Sequence, residues 1–207
     1  FERSTILGGQ ITLAALAPAR ERMSGIVCWL ESELARLDVD VRTGVEADAD
    51  IVGSSTPDIV VTATGGGPNL DENQNWGHAD GLVVGVGDVL SGAVTPAATA
   101  LVYDAIGRVA GTSCADFLAE KSTSVELVTP DPRIGQELGD GSLPVYLKRL
   151  YSNLVRMTPG LGLDRVERNN GRLLATFTNQ FSNAIETRQV DQIVIDNGTI
   201  PNDALFH

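Results

Sequence analysis

Ala98-Thr-Ala-Leu-Val-Tyr-Asp-Ala-Ile-Gly-Arg-Val-Ala-Gly-Thr-Ser-Cys-Ala-Asp-Phe-Leu-Ala-Glu-Lys-Ser-Thr-Ser-Val-Glu-Leu-Val-Thr-Pro130 reads as strand, glycine-bearing turn, helix, strand. Ala100 to Tyr103 is a short apolar run, and Gly107 and Gly111 punctuate the turn. Cys114, Phe117 and Leu118 recur at helical spacing, and Val125 to Val128 is a second buried-strand pattern. This is half of a nucleotide-binding βαβ unit. A G-x-G-x-x-G fingerprint laid over Ile106 to Gly111 finds Ile106 and Arg108 where the first two glycines belong. A β-carbon at either position obstructs the tight turn or the pyrophosphate, and Asp104 adds negative charge where a phosphate would sit.

Working outward, Leu7-Gly8-Gly9-Gln10 reads as a loop followed by an apolar stretch that Pro18 stops. From Ala19 to Leu37 the residues Met23, Ile26, Val27, Leu30, Leu34 and Leu37 fall on one helical face. Val39, Val41 and Val45 alternate as a half-buried strand, and Pro57 to Gly65 reads as a strand covered on both faces. Asn69 to Asp80 is the expected crossing between two lobes, Gly81 to Gly85 a small strand, and Asp88 to Gly92 a turn. Leu143 to Val155 predicts a helix that buries Val145, Leu147, Leu150, Tyr151 and Leu154. Leu163 to Arg168, Leu173 to Thr178 and Thr187 to Ile195 predict three antiparallel strands, with Asn169-Asn170-Gly171 as a tight turn.

The 207 residues suffice for one large domain or two small ones. Hydrophobic residues make up 43% and charged residues 20%, the balance of a globular chain rather than a disordered one. A net charge of −12 argues against nucleic acid or an anionic membrane as partner. No apolar run approaches the ~20 residues of a membrane helix, and a cytoplasmic location is expected. Cys28 and Cys114 are far apart and read as reduced core filler on apolar helix faces. With only His78 and His207 besides, a zinc site has nothing to be built from. The opening Phe1-Glu2-Arg3 resembles the end of a strand, so an interior segment of a longer polypeptide is expected.

Glu2, shortly before Gly8-Gly9, is a surface carboxylate or the acid that accepts hydrogen bonds from a nucleotide's ribose. Asp58 to Gly65 ends in small residues that let backbone approach a flat ligand, or is simply a buried strand ending in a glycine turn. Taken together, Glu2, Gly8-Gly9-Gln10, Ala63-Thr64-Gly65, Asp88-Val-Leu-Ser-Gly92, Leu101-Val-Tyr-Asp104 with its turn and helix, and Gly198-Thr-Ile-Pro-Asn-Asp-Ala204 carry a resemblance. The chain resembles the C-terminal half of the trimethylamine dehydrogenase and 2,4-dienoyl-CoA reductase group, iron–sulfur flavoproteins of the NADH:flavin oxidoreductase class, and covers nearly its whole length in doing so.

That resemblance implies an α/β fold of two Rossmann-like, glutathione-reductase-type domains, the second with an antiparallel β-meander. Residues 1–80 would be a partial FAD- or ADP-binding domain, residues 81–197 a second NAD(P)-binding-like domain with a degenerate glycine loop, and residues 198–207 a return segment. It places Glu2 on the ribose of FAD or ADP, Arg3 beside the adenosine, and Gly9 and Gln10 along the nucleotide. The backbone of Val45 would meet the adenine edge, with Thr64 and Gly65 on the nucleotide's inner side. FMN, a [4Fe-4S] cluster and the catalytic barrel would lie outside this segment. The altered loop matches the amine-dehydrogenase branch, implying an oligomer that demethylates a small methylated amine and passes electrons to an electron-transfer flavoprotein or partner subunit. Two alternatives stand beside this: an NAD(P)H-dependent dienoyl-CoA or enoate reductase, and a non-catalytic assembly module with an empty nucleotide site.

Overall fold

A computed structural model describes residues 1–70, 76 and 83–206. His78, His207, all of the expected lobe crossing beyond Leu70 except Trp76, the first two residues of the Gly81 to Gly85 run and the boundary expected at residue 80 lie outside the described residues. Two compact units emerge, Phe1–Gly67 with Thr199–His207, and Pro68–Gly198. In chain order the elements are α1 (Gly9–Ala14), a 3-10 turn at Glu21–Met23, α2 (Ser24–Arg36), α3 (Ala49–Ser54), β1 (Gly66–Pro68), β2 (Val83–Gly85), α4 (Val86–Leu90), β3 (Thr99–Asp104), α5 (Val109–Glu120), β4 (Ser124–Thr129), α6 (Leu143–Ser152), β5 (Arg156–Pro159), β6 (Leu161–Asn169), β7 (Arg172–Asn179), β8 (Ile185–Val190), β9 (Gln192–Asp196) and β10 (Thr199–Pro201).

The Pro68–Gly198 unit is built on a five-stranded parallel sheet of order β2-β9-β3-β4-β5. Both faces are covered, so β3 and β9 are almost continuously buried instead of alternating. On one face Ala100, Val102, Leu127 and Val194 pack against Cys114, Ala115 and Leu118 of α5 and Leu150 of α6. On the other, Leu101, Tyr103, Val128 and Ile193 pack against Leu161, Leu173 and Phe177 of the antiparallel sheet β6-β7-β8. The turn at Asn169-Asn170-Gly171 is as expected, with φ of 51° at Asn170 and 81° at Gly171.

Two sequence expectations fail in this unit. The run Thr187 to Ile195 is not one strand. β8 closes the meander against β7, and after Asp191 the chain enters the parallel sheet as β9 between β2 and β3. Asp191 makes the change of direction possible by binding both sheets. Its Oδ2 accepts from the Thr99 hydroxyl at 2.6 Å at the start of β3, and its Oδ1 accepts from Arg172 Nε at 2.7 Å at the start of β7. The Thr99 hydroxyl bond, with Arg172 alongside, holds this carboxyl below the usual range. In α6, Leu150 is fully buried but Val145, Tyr151 and Leu154 are exposed. The helix lies on α5 with its polar side engaged as well: Arg149 donates to Asp116 and Glu120, and Asn153 just beyond α6 donates to Asp116.

The Phe1–Gly67 and Thr199–His207 unit departs further from the sequence pattern. Of the apolar face expected on α2, only Val27 is buried, while Ile26, Leu30 and Leu37 are exposed, as is Cys28. Val27 is held where α1 crosses: an added β-carbon on Gly8 would stand 2.8 Å from its Cγ2, so only glycine lets the two helices approach. Val39, Val41 and Val45 form no strand; a single parallel bridge joins Glu2 to Thr43. Pro57 to Gly65 forms no strand and is bonded to the return segment at its Thr64-Gly65 end, while Ile59 and Val61 are 81% and 83% exposed. A doubly covered strand requires neighbours on both edges, and among the described residues this unit supplies only the bridge and the two-stranded pair β1-β10.

Phe177 is the largest fully buried side chain, packed 6.3 Å from the Tyr103 ring. Trp76 is a ready reporter of the same core, because it meets Tyr103 edge-on and donates to Leu163 O. Phe177→Ala is expected to destabilise this unit by about 3–5 kcal/mol, read as a lower denaturant midpoint of the buried Trp76 fluorescence against the exposed Trp29.

Candidate functional site

In the first unit the chain start and the segment at 42–46 run side by side. Glu2 N donates to Arg42 O at 2.8 Å, Val45 N to Glu2 O at 3.0 Å and Gly44 N to Ser4 O at 2.8 Å. Glu2, Arg3 and Val45, brought together by these bonds, line a cavity of about 500 Å³. Thr64 lines it too, fixed to the return segment: its hydroxyl donates to Asn202 O, and Asn202 Nδ2 donates to Thr64 O at 3.3 Å. Glu2 is half-buried, with Oε1 accepting from Ser4 N at 2.7 Å, and Arg3 stands 3.8 Å from Glu46.

Four expected residues, Glu2, Arg3, Val45 and Thr64, therefore surround one cavity, while Gly9, Gln10 and Gly65 do not line it. Gly9 begins α1, and Gln10 Nε2 donates to Gly66 O at 3.0 Å. Gly65 has φ of 68° and its carbonyl accepts from Asn202 N at 3.0 Å, so it joins the return segment to the cavity wall. Sequence reading missed Glu46, Val60, Asn202 and Leu205 as lining residues. Glu46 carries no signal beyond its proximity to Val45, and Asn202 and Leu205 reach the cavity through the β1-β10 pairing, which spans too many residues to be read from a local pattern.

In the second unit two acids hold the turn at the end of β3. Asp104 is 1% exposed, and its Oδ1 accepts from Ile106 N at 3.1 Å and Gly107 N at 2.7 Å. Asp196, at the end of the neighbouring β9, accepts from Gly111 N at 3.0 Å through Oδ2. Three amides of the turn and first helical residues, the groups that would cradle a phosphate, already donate to carboxylates. Gly107 keeps the positive φ of 68° the turn requires, and an added β-carbon on Gly111 would stand 2.6 Å from Asp104 Cγ. Arg108 is exposed at the N-cap of α5. Burial, then the charge of Asp196, pushes Asp104 up to about 7, and burial also raises Asp196 against the pull of the Gly111 and Gly198 amides.

Among the described residues no group of three or more histidine, cysteine or acidic side chains could hold a metal ion, and no helix is long and apolar enough to cross a membrane.

No protein-family model matches the chain. It is 45% identical, over its whole length, to the N,N-dimethylglycine/sarcosine dehydrogenase of Chromohalobacter salexigens, and 32% identical to a probable N-methylproline demethylase of Rhizobium meliloti. In both cases it spans about 30% of the relative's length. Histamine dehydrogenase from Rhizobium sp. 4-9 superposes over 99% of the chain with a TM-score of 0.85 at 18% identity, the chain covering 32% of that structure, which establishes likeness of fold. Matched along its full length by such relatives, the chain belongs to the trimethylamine dehydrogenase and old yellow enzyme-like family of oxidoreductases.

Proposed function

We propose that this chain is the nucleotide-binding portion of an iron–sulfur flavoprotein that oxidatively N-demethylates a small methylated amine and passes the electrons to an electron-transfer flavoprotein or partner subunit. The observation that carries the reading is the occupied loop: Asp104 and Asp196 hold the Ile106, Gly107 and Gly111 amides. A pyridine nucleotide's pyrophosphate would have to displace two carboxylates and then sit among negative charges. The identity to a dimethylglycine/sarcosine dehydrogenase points to the same kind of substrate.

The first unit suits an adenine nucleotide, FAD or ADP. Its cavity is of ligand size, Glu2 offers a carboxylate to ribose hydroxyls, and Val45, whose N–H donates to Glu2 O, lines the same cavity. Arg3 and Thr64 would flank the bound group, with Gly9, Gln10 and Gly65 holding the surrounding backbone. Such a nucleotide supplies either a redox-active flavin or an anchoring adenosine; the chain's own residues bind and orient it. The two units correspond, in this reading, to Rossmann-like domains of the glutathione-reductase type. The substrate site, FMN and [4Fe-4S] cluster belong to parts of the protein outside this chain.

With the intact protein, a dye acceptor is expected to support amine oxidation while NAD(P)+ does not; robust NAD(P)+ reduction would instead establish the pyridine-nucleotide-dependent reductase. Glu2→Ala is expected to weaken adenine-nucleotide retention by roughly ten- to a hundredfold, matching the roughly 1.5–3 kcal/mol of a hydrogen bond to a charged group. The check is to quantify the nucleotide released on denaturation after dialysis. Equal nucleotide content in wild type and variant would remove Glu2 from the site, and none in either would leave an assembly module.

A further inference from the structure

Asp104 is not fully accounted for by its two amide bonds. Those bonds use Oδ1; its Oδ2 is buried and has no hydrogen-bond partner among the described residues. The backbone of α5 presses on that oxygen, since an added β-carbon on Gly111 would stand 2.9 Å from it. Across the sheet its in-register neighbour is Asp196, and Asp131, beyond the end of β4, adds a further negative charge. The cation of this corner, Arg108 at the start of α5, is exposed and acts on Asp196. The remaining ionisable groups facing the region, Tyr103 on β3 and Cys114 on α5, are both pushed up by burial and stay neutral. Burial and the neighbouring carboxylates favour the protonated form of such a group, and here they outweigh the two amide bonds to Oδ1, which favour the ionised one.

We propose that Asp104 is a proton-controlled latch: protonated, it holds the turn 105–111 closed over the end of β3, and on ionising it draws water in and loosens that turn. The device lies wholly within the second unit and does not depend on what the first unit binds. Its midpoint follows from the carboxyl being pushed up to about 7 from the ordinary value near 4. The folded state then keeps a proton that the unfolded chain has already released. The associated stability is fully present below about pH 4 and declines as pH rises to about 7, where it is lost.

The test is an infrared pH titration of the intact protein, following the carbonyl stretch of a protonated buried carboxylic acid, with hydrogen exchange of the peptide covering 105–111 measured in parallel. In the wild type the band is expected to disappear with a midpoint near 7, while exchange of the turn, corrected for its intrinsic pH dependence, rises about tenfold or more across that midpoint. Asp104→Asn, which mimics the protonated carboxyl, is expected to lose the band and keep the turn slow at every pH. Asp196→Asn removes the neighbouring charge and is expected to lower the wild-type midpoint, so the proposal stays exposed even if Asp104→Asn disturbs the fold. A band titrating near 4, loosening that persists in Asp104→Asn, or a midpoint unmoved in Asp196→Asn would overturn it.

Discussion

Keeping both faces of one parallel sheet away from water is the constraint on which the second unit depends. β3 and β9 are buried along all but one end residue each, which requires helices on one side and a second apolar layer on the other. The helices α5 and α6 supply the first through Leu118 and Leu150; the meander supplies the second through Phe177, Leu161 and Leu173. Asp191 sits where the chain leaves the covering layer for the covered sheet. Its bonds to Thr99 and Arg172 tie the first residue of β3 to the first residue of β7.

The same sheet explains how the turn after β3 is held. In a parallel sheet the strand ends and helix starts gather backbone N–H groups that need acceptors. A dinucleotide fold leaves those groups to a phosphate. Here Asp104 and Asp196, themselves in-register neighbours at the ends of β3 and β9, accept from them. The turn is thereby satisfied internally, at the cost of burying a carboxyl with one oxygen unpartnered. The turn without the fingerprint glycines and the acids that hold its amides thus form one structural arrangement.

The first unit follows different physics. Its long exposed apolar segments, Ile59 to Val61 and the outer face of α2, have strand and helix patterns without the neighbours those patterns serve. What is well made is the cavity lined by Glu2, Val45, Thr64 and Asn202, with Glu2 and Val45 held by backbone bonds and Thr64 and Asn202 by side-chain to backbone bonds.

By itself the sequence determined the local grammar: the strand, turn, helix and strand of Ala98 to Pro130, the tight turn at Asn170-Gly171, and an acid at the end of the first of those strands. These are legible because each depends on the spacing of a few neighbouring residues. Only tertiary structure decided whether an apolar run finds a partner. Thr187 to Ile195 divides between two sheets because Asp191 binds Thr99, some ninety residues earlier in the chain. Pro57 to Gly65 forms no strand because a strand is made by its neighbours' hydrogen bonds and not by its own composition. Likewise Thr64 and Asn202 come together at the cavity only through the pairing of β1 with β10, and the oxygen of Asp104 without a partner among the described residues is buried only because α5 folds back over the end of β3.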